Sequence, residues 1–291
     1  MNYTIETANI NDLTINLEIR KLLKAANNTT ELLPDDYLEK KICSNASHQS
    51  FFLIAIENGG IIGCNGFIAN DFFLNDINYT GYQSCMSATH PLHQGKRVFT
   101  SIINFAKEKL TAEGAGFLYG IANNTSNPIF TKKLGFTENP TLILSIPNLP
   151  FFKWFYFRKE VLKKRGGCTV DEEQVKNHKL NQCPNLVKVV QYNDSWIWGK
   201  VLVKKRIGIK FSVFYVGGVS LATDGDLEKM LTKIYSIYKV FFIQFFLCKT
   251  NSLIHLLKGW KKPKMNGFIF YNLNMPNFQH LNIMIGVLDV F

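Results

Sequence analysis

A chain of 291 residues with 46% apolar and 13% aromatic side chains can fill one large core or two ordinary ones, which excludes a disordered chain. Its formal charge of +11 favours anionic partners, yet the cations fall in short runs (Lys163-Lys164-Arg165, Lys204-Lys205-Arg206) without the aromatic-basic pattern of a nucleic-acid binder. The six cysteines show no Cys-x-x-Cys pair and no metal-ligand spacing to histidine; with no secretory leader, this points to a cytoplasmic protein that holds no metal.

In chain order, Tyr3 to Ile5 reads as a strand, and Asn11 or Asp12 caps a helix carrying Leu13, Leu17 and Leu23 on one face. Pro34 to Cys43 reads as a short helix. Phe51 to Ile56 and Ile61 to Ile68 are apolar strands joined by Glu57-Asn58-Gly59-Gly60, where Asn-Gly signals a hairpin because both residues tolerate positive φ. A strand from Tyr79 to Thr89 ends at His90-Pro91. Val98, Ile102, Phe105, Ala106 and Leu110 then recur at helical spacing until Gly114 and Gly116 stop the helix. A strand at Phe117 to Ala122, a short helix at Pro128 to Leu134 and a strand at Leu142 to Ile146 complete an α/β pattern with a mixed sheet.

From Phe151 to Lys164 an aromatic-basic helix is expected, then a break at Gly166-Gly167, which places a domain boundary near residue 150. Beyond it come a strand (Lys210 to Val216), a helix (Asp226 to Tyr238), a strand (Val240 to Cys248), a helix (Leu253 to Trp260), and strands at Phe268 to Leu273 and Ile283 to Phe291. The Val240 to Cys248 run is too short to cross a membrane, so no integral membrane segment is expected. This order repeats that of residues 79 to 146, as a degenerate second copy would.

The segment Ala88-Thr89-His90-Pro91-Leu92-His93-Gln94-Gly95-Lys96-Arg97-Val98-Phe99 puts a strand end, a glycine turn, two cations and a helix start within twelve residues. A helix start presents unpaired N–H groups and partial positive charge, which suit a phosphate; the same residues also serve simple turns. Gln94 to Phe99 resembles the loop signature of the GNAT superfamily of N-acyltransferases, with Arg97 at the place of the central glycine and Phe99 at that of a small residue. Thirty residues on, Asn123-Asn124-Thr125-Ser126-Asn127-Pro128-Ile129-Phe130 and the closing Gly135-Phe136 resemble the family's second motif.

The resemblance implies an acyl-CoA site on residues 1–150 made by Met86, Ser87, Ala88, Gln94, Gly95, Lys96, Arg97, Val98, Phe99, Asn124, Asn127 and Phe130. A backbone amide near Met86 to Ala88 would polarise the thioester, and Asn124 would hold the pantetheine arm. Thr131 stands where the family's acid tyrosine is usual, so Asp71 and His90 are the candidates for proton transfer, each with a plain structural reading beside it. Residues 151–291 would then form a degenerate GNAT-like domain. Asp224 and Asp226 at its equivalent helix start would repel a pyrophosphate, leaving it to contribute to the acceptor cleft. The whole chain resembles bacterial transferases that acylate a dTDP-linked 3-amino-3,6-dideoxyhexose. That resemblance implies acyl-CoA and a dTDP-amino sugar as small-molecule partners, and with the cations scattered in short runs no nucleic acid is expected; other amine acceptors (aminoglycoside, polyamine or peptide) and a non-catalytic CoA-binding or membrane-surface module are the alternatives.

Overall fold

The structure is a computed structural model that describes residues 2–42, 48–148, 168–248, 251, 253–257, 260–263, 267–276, 278 and 281–284. The helix expected at 151–164 and most of the strand expected at 283–291 lie outside the described residues.

The first half opens with β1 (Thr4–Thr7) and α1 (Leu13–Asn27). Asp12 caps α1 by accepting from the N–H groups of Thr14 and Ile15 at 2.8 and 3.4 Å. The buried stripe of α1 is Asn16, Ile19, Arg20, Leu22 and Leu23, whereas Leu13, expected on that face, is 80% exposed. Arg20 is tolerated inside because Asn16, the Leu33 carbonyl and Asp35 occupy its donors at 2.9, 2.7 and 2.7 Å. After α2 (Tyr37–Ile42), β2 (Phe51–Glu57) and β3 (Gly60–Leu74) form the expected hairpin, with Asn58 and Gly59 at φ of 51° and 79°.

A second hairpin, turning on Asn75 and Asp76 at φ of 52° and 63°, joins β3 to β4 (Ile77–Thr89). β3 therefore runs on past Ile68, and Asp71, expected just after a strand, lies within one. A 3-10 turn (Pro91–His93), α3 (Val98–Ala112), β5 (Phe117–Ile121), a π-helical turn (Ile129–Lys133) and β6 (Thr137–Asn139) follow. Apolar side chains of α3 (Val98, Ile102, Ile103, Ala106, Leu110) pack with Phe67, Tyr82 and Leu118. Those of α1 (Ile19, Leu22, Leu23) pack with Phe52, Ile54 and Cys64, so helices flank both faces of the sheet.

The first half closes with β7 (Thr141–Pro147), and the second contains β8 (Thr169–Val170), α4 (Glu172–Gln182), β9 (Val187–Tyr192), β10 (Ser195–Arg206) and β11 (Ile209–Ser220). It continues with α5 (Asp224–Tyr238), β12 (Phe242–Cys248), α6 (Leu253–Leu256), β13 (Trp260–Pro263) and β14 (Phe268–Asn272). The helix expected to reach Trp260 stops at Leu256, and Trp260 opens β13. Sequence periodicity gave no sign of α4, where Val175 and Lys179 are the only buried residues.

Contacts divide the chain into two compact units: Met1–Phe72, Ile77–Glu138 and Ile269–Asn277 in one; Phe73–Asp76, Asn139–Phe268 and Phe278–Phe291 in the other. These differ from the 1–150 and 151–291 segments because each half completes its sheet with a strand from the other half. The first sheet runs β1-β2-β3-β4-β5-β14-β6, with β14 seated between β5 and β6 and the short β8 paired with β3 off this path. The second runs β13-β7-β12-β11-β10-β9. Read from opposite ends they share one plan: three antiparallel strands, a helix, a strand parallel to the third, then a strand from elsewhere in the chain.

Candidate active site

β4 and β5 pair in parallel only through Gly81–Phe117, Tyr82–Leu118 and Gln83–Tyr119, while β4 continues to Thr89. In that continuation Met86 takes the left-handed conformation, φ 48°, which kinks the strand. Side chains of β3 hold the kink. The Cys64 thiol, pushed up to about 12 by burial and hence a neutral donor, gives its proton to the Met86 carbonyl at 3.7 Å. Asn65, fully buried, accepts at Oδ1 from the hydroxyls of Ser84 (3.2 Å) and Ser87, while its Nδ2 donates to the Gly66 carbonyl at 2.8 Å. Sequence reading missed Asn65 and Cys64. The signal for Asn65 was available, since an amide inside the apolar run Ile61 to Ile68 needs buried partners.

The end of β4 delivers the chain to α3 through Gln94 to Arg97, all four residues exposed. Gly95 has φ 79° and Arg97, the residue before the helix, has φ 63°; left-handed backbone suits the glycine and strains the arginine. No side chain caps α3, so its leading N–H groups point toward solvent beside Lys96 and Arg97. The equivalent helix of the other unit, α5, is closed by its own carboxylate. Asp226 accepts from the Thr223 N–H at 3.2 Å, the Ser195 hydroxyl at 2.7 Å and Asn193 at 3.4 Å, and these bonds, led by Ser195, hold its carboxyl below the usual range. One helix start is thus open and cationic, the other self-capped and anionic.

The loop after β5 shows a similar division between neighbouring residues. Asn123 makes the turn: its Oδ1 accepts from the N–H groups of Thr125 and Ser126 at 3.0 and 2.8 Å. Asn124 is exposed, and no hydrogen bond of its side chain is found among the described residues. Asn127 Oδ1 is buried without a hydrogen-bond partner. Phe130 is a core residue, 5% exposed, whose ring meets that of Phe99 edge-on at 5.3 Å, so the two motifs lie against each other. Val98 and Ala88 are likewise buried in the cores and can offer a ligand only their backbone.

Residues 19–138 match the family described as an acetyltransferase (GNAT) domain. Residues 19–138 are thus similar to a GNAT acetyltransferase domain. That domain makes the chain an acyl-CoA-dependent N-acyltransferase, with an acyl-CoA as co-substrate. The whole chain is similar in fold to Eis1 from Mycobacterium abscessus (TM-score 0.58, 12% identity, 94% of this chain and 74% of that one). It is also similar to GCN5-related N-acetyltransferases from Anabaena variabilis (0.62, 9%, 94% and 73%) and Kribbella flavida (0.57, 9%, 94% and 72%). No curated protein matches the chain by sequence.

The donor set of the GNAT domain fits coenzyme A: free helix amides and two cations for the pyrophosphate, and the orphaned Asn127 Oδ1 for an amide N–H of the pantetheine arm. The proton-transfer candidates are not brought together. The His90 N–H donates to the Ile62 carbonyl at 2.9 Å, and Asp71 lies nine residues farther along β3, about 30 Å away. His90 Nδ1 accepts from the Leu92 N–H at 3.3 Å, so the neutral ring carries its proton on Nε2, and Nδ1 cannot accept another without giving up that bond. Thr131, at the usual tyrosine place, donates its hydroxyl to the Asn127 carbonyl at 2.8 Å.

Proposed function

We propose that the GNAT domain binds acyl-CoA at the open start of α3 and passes the acyl group to the amine of a nucleotide-linked sugar of the dTDP-3-amino-3,6-dideoxyhexose type. The observation that carries the donor half of this reading is the contrast between α3, uncapped beside Lys96 and Arg97, and the self-capped α5. The acceptor half is supported by the charge of +11, which suits two polyanionic substrates held at once.

In the reaction the neutral amine attacks the thioester carbonyl carbon, the new C–N bond forms, and the C–S bond breaks. The sulfur leaves as thiolate and the amine proton passes to water. An N–H near the Met86 kink polarises the carbonyl; of the three candidates, that of Ala88 is already directed at the Cys64 sulfur, which favours Met86 and Ser87. Lys96, Arg97, Asn124 and Asn127 hold the donor, and rate enhancement is mainly positional. Free-thiol release is the assay, with acyl-CoA donors screened against dTDP-amino sugars, free amino sugars, aminoglycosides, polyamines and peptides. Preference for the dTDP-linked acceptor, weakened by salt as exposed cations are screened, is expected. Equal use of the free sugar, or preference for another amine, would remove the sugar-nucleotide reading and leave the acyltransferase.

A further inference from the structure

The hairpin joining β10 to β11 turns on Ile207 and Gly208, at φ of 49° and 78°. Elsewhere the left-handed turn positions are filled by Asn58, Gly59, Asn75, Asp76 and Asn193, residues that accept this backbone at low cost. A β-branched isoleucine is among the least suited. No packing within the chain explains the choice, because Ile207 is 91% exposed, with Val203 at 67% and Ile209 at 69% beside it. The same tip carries the exposed Lys205, Arg206 and Lys210, while Lys204 is turned back onto Tyr215 and Gln244, and no acidic residue occurs from Ser195 to Ala222.

We propose that this tip is a peripheral membrane-docking element, placing Val203, Ile207 and Ile209 among the lipids of an anionic bilayer while its cations meet the headgroups. The partner's chemistry follows from the side chains. Branched aliphatic residues gain by leaving water for hydrocarbon but offer no ring on which a nucleobase could stack, which favours a lipid surface over RNA. From Val203 to the turn the hairpin reaches about 13 Å, enough for the apolar tip to enter the headgroup and acyl boundary. The inference is independent of the acyl acceptor.

The test uses the full-length protein with vesicles of phosphatidylcholine alone or mixed with phosphatidylserine. Sedimentation with the mixed vesicles, and little with phosphatidylcholine alone, is expected. Ile207→Asn suits the turn and should leave the melting temperature unchanged or higher while weakening vesicle binding about tenfold. Lys205→Glu should weaken it fivefold or more, consistent with the contribution of about one headgroup-paired cation. A tryptophan at the tip, Ile207→Trp, should be quenched by lipids brominated in the acyl chain. Absence of binding to mixed vesicles, binding unaffected by Ile207→Asn, absence of quenching, or tighter binding to RNA than to vesicles would each overturn the proposal.

Discussion

At the scale of single residues, the site is defined by groups left unsatisfied and by backbone held off its preferred conformation. Arg97 combines two properties that substitution can separate: a left-handed φ of 63° and a cation beside free amides. Arg97→Gly should relieve the strain and raise stability by about 1 kcal/mol, because glycine takes this conformation freely. It should also weaken coenzyme A binding by removing the charge. Thermal melts with and without ligand would read both effects, and a variant with unchanged affinity would assign the guanidinium no part in binding. Asn65 is a positioning residue in this account, since Ser84 and Ser87 converge on its Oδ1 beneath the kink. Asn65→Ala should lower kcat by about 10²-fold with a smaller change in the KM for acyl-CoA, as expected when reacting groups are displaced by about 1 Å. A change confined to KM would place Asn65 in donor binding instead.

At the scale of elements, legibility followed periodicity and turn chemistry. The Asn58-Gly59 hairpin, α3, β5 and β12 were readable because apolar spacing and glycine placement agreed. α4 was not, because Glu172 to Gln182 carries no apolar stripe, and β10 was not, because its outer half mixes Leu202 and Val203 with Lys204, Lys205 and Arg206. The loop at Gln94 to Phe99 was legible as a glycine turn leading into a helix, whereas the kink at Met86 was not, because nothing in the side chain of methionine announces positive φ. The start of α4 carries a pH dependence of its own. Glu172 lies against Gly218 and Trp198, where burial, aided by the charge of Asp171, pushes its carboxyl from 4.5 up to about 8. A raised carboxyl means that the folded chain holds a proton which the unfolded chain has lost between those two values. Stability therefore falls as pH rises from 4.5 to about 8. Glu172→Gln should flatten that fall in a series of melts; an equally steep series in the variant would assign the slope to other groups.

At the scale of the whole molecule, the two halves share one plan and exchange strands, β7 to the second sheet and β14 with the short β8 to the first, which residue spacing alone could not show because β7 and β14 look like ordinary consecutive strands. A chain ended after Asn148 lacks β14 and leaves β5 and β6 without the strand that lies between them. It should fail to melt cooperatively, and a version with residues 267–276 restored after Glu138 on a short linker should recover a cooperative transition; cooperative melting of the simple truncation would show that the exchange is dispensable. Duplication of the plan also raises the question of how many donor molecules the chain binds. Calorimetric titration with acetyl-CoA, compared between the native chain and Arg97→Asp, tests this most directly, because the substitution replaces the cation at the open start of α3 with a carboxylate. The account predicts one site per native chain and, at a thousandfold excess over the dissociation constant, a stabilisation of about 4 kcal/mol; in Arg97→Asp both should be lost while the fold persists. Two sites per chain, or undiminished binding in Arg97→Asp, would contradict it.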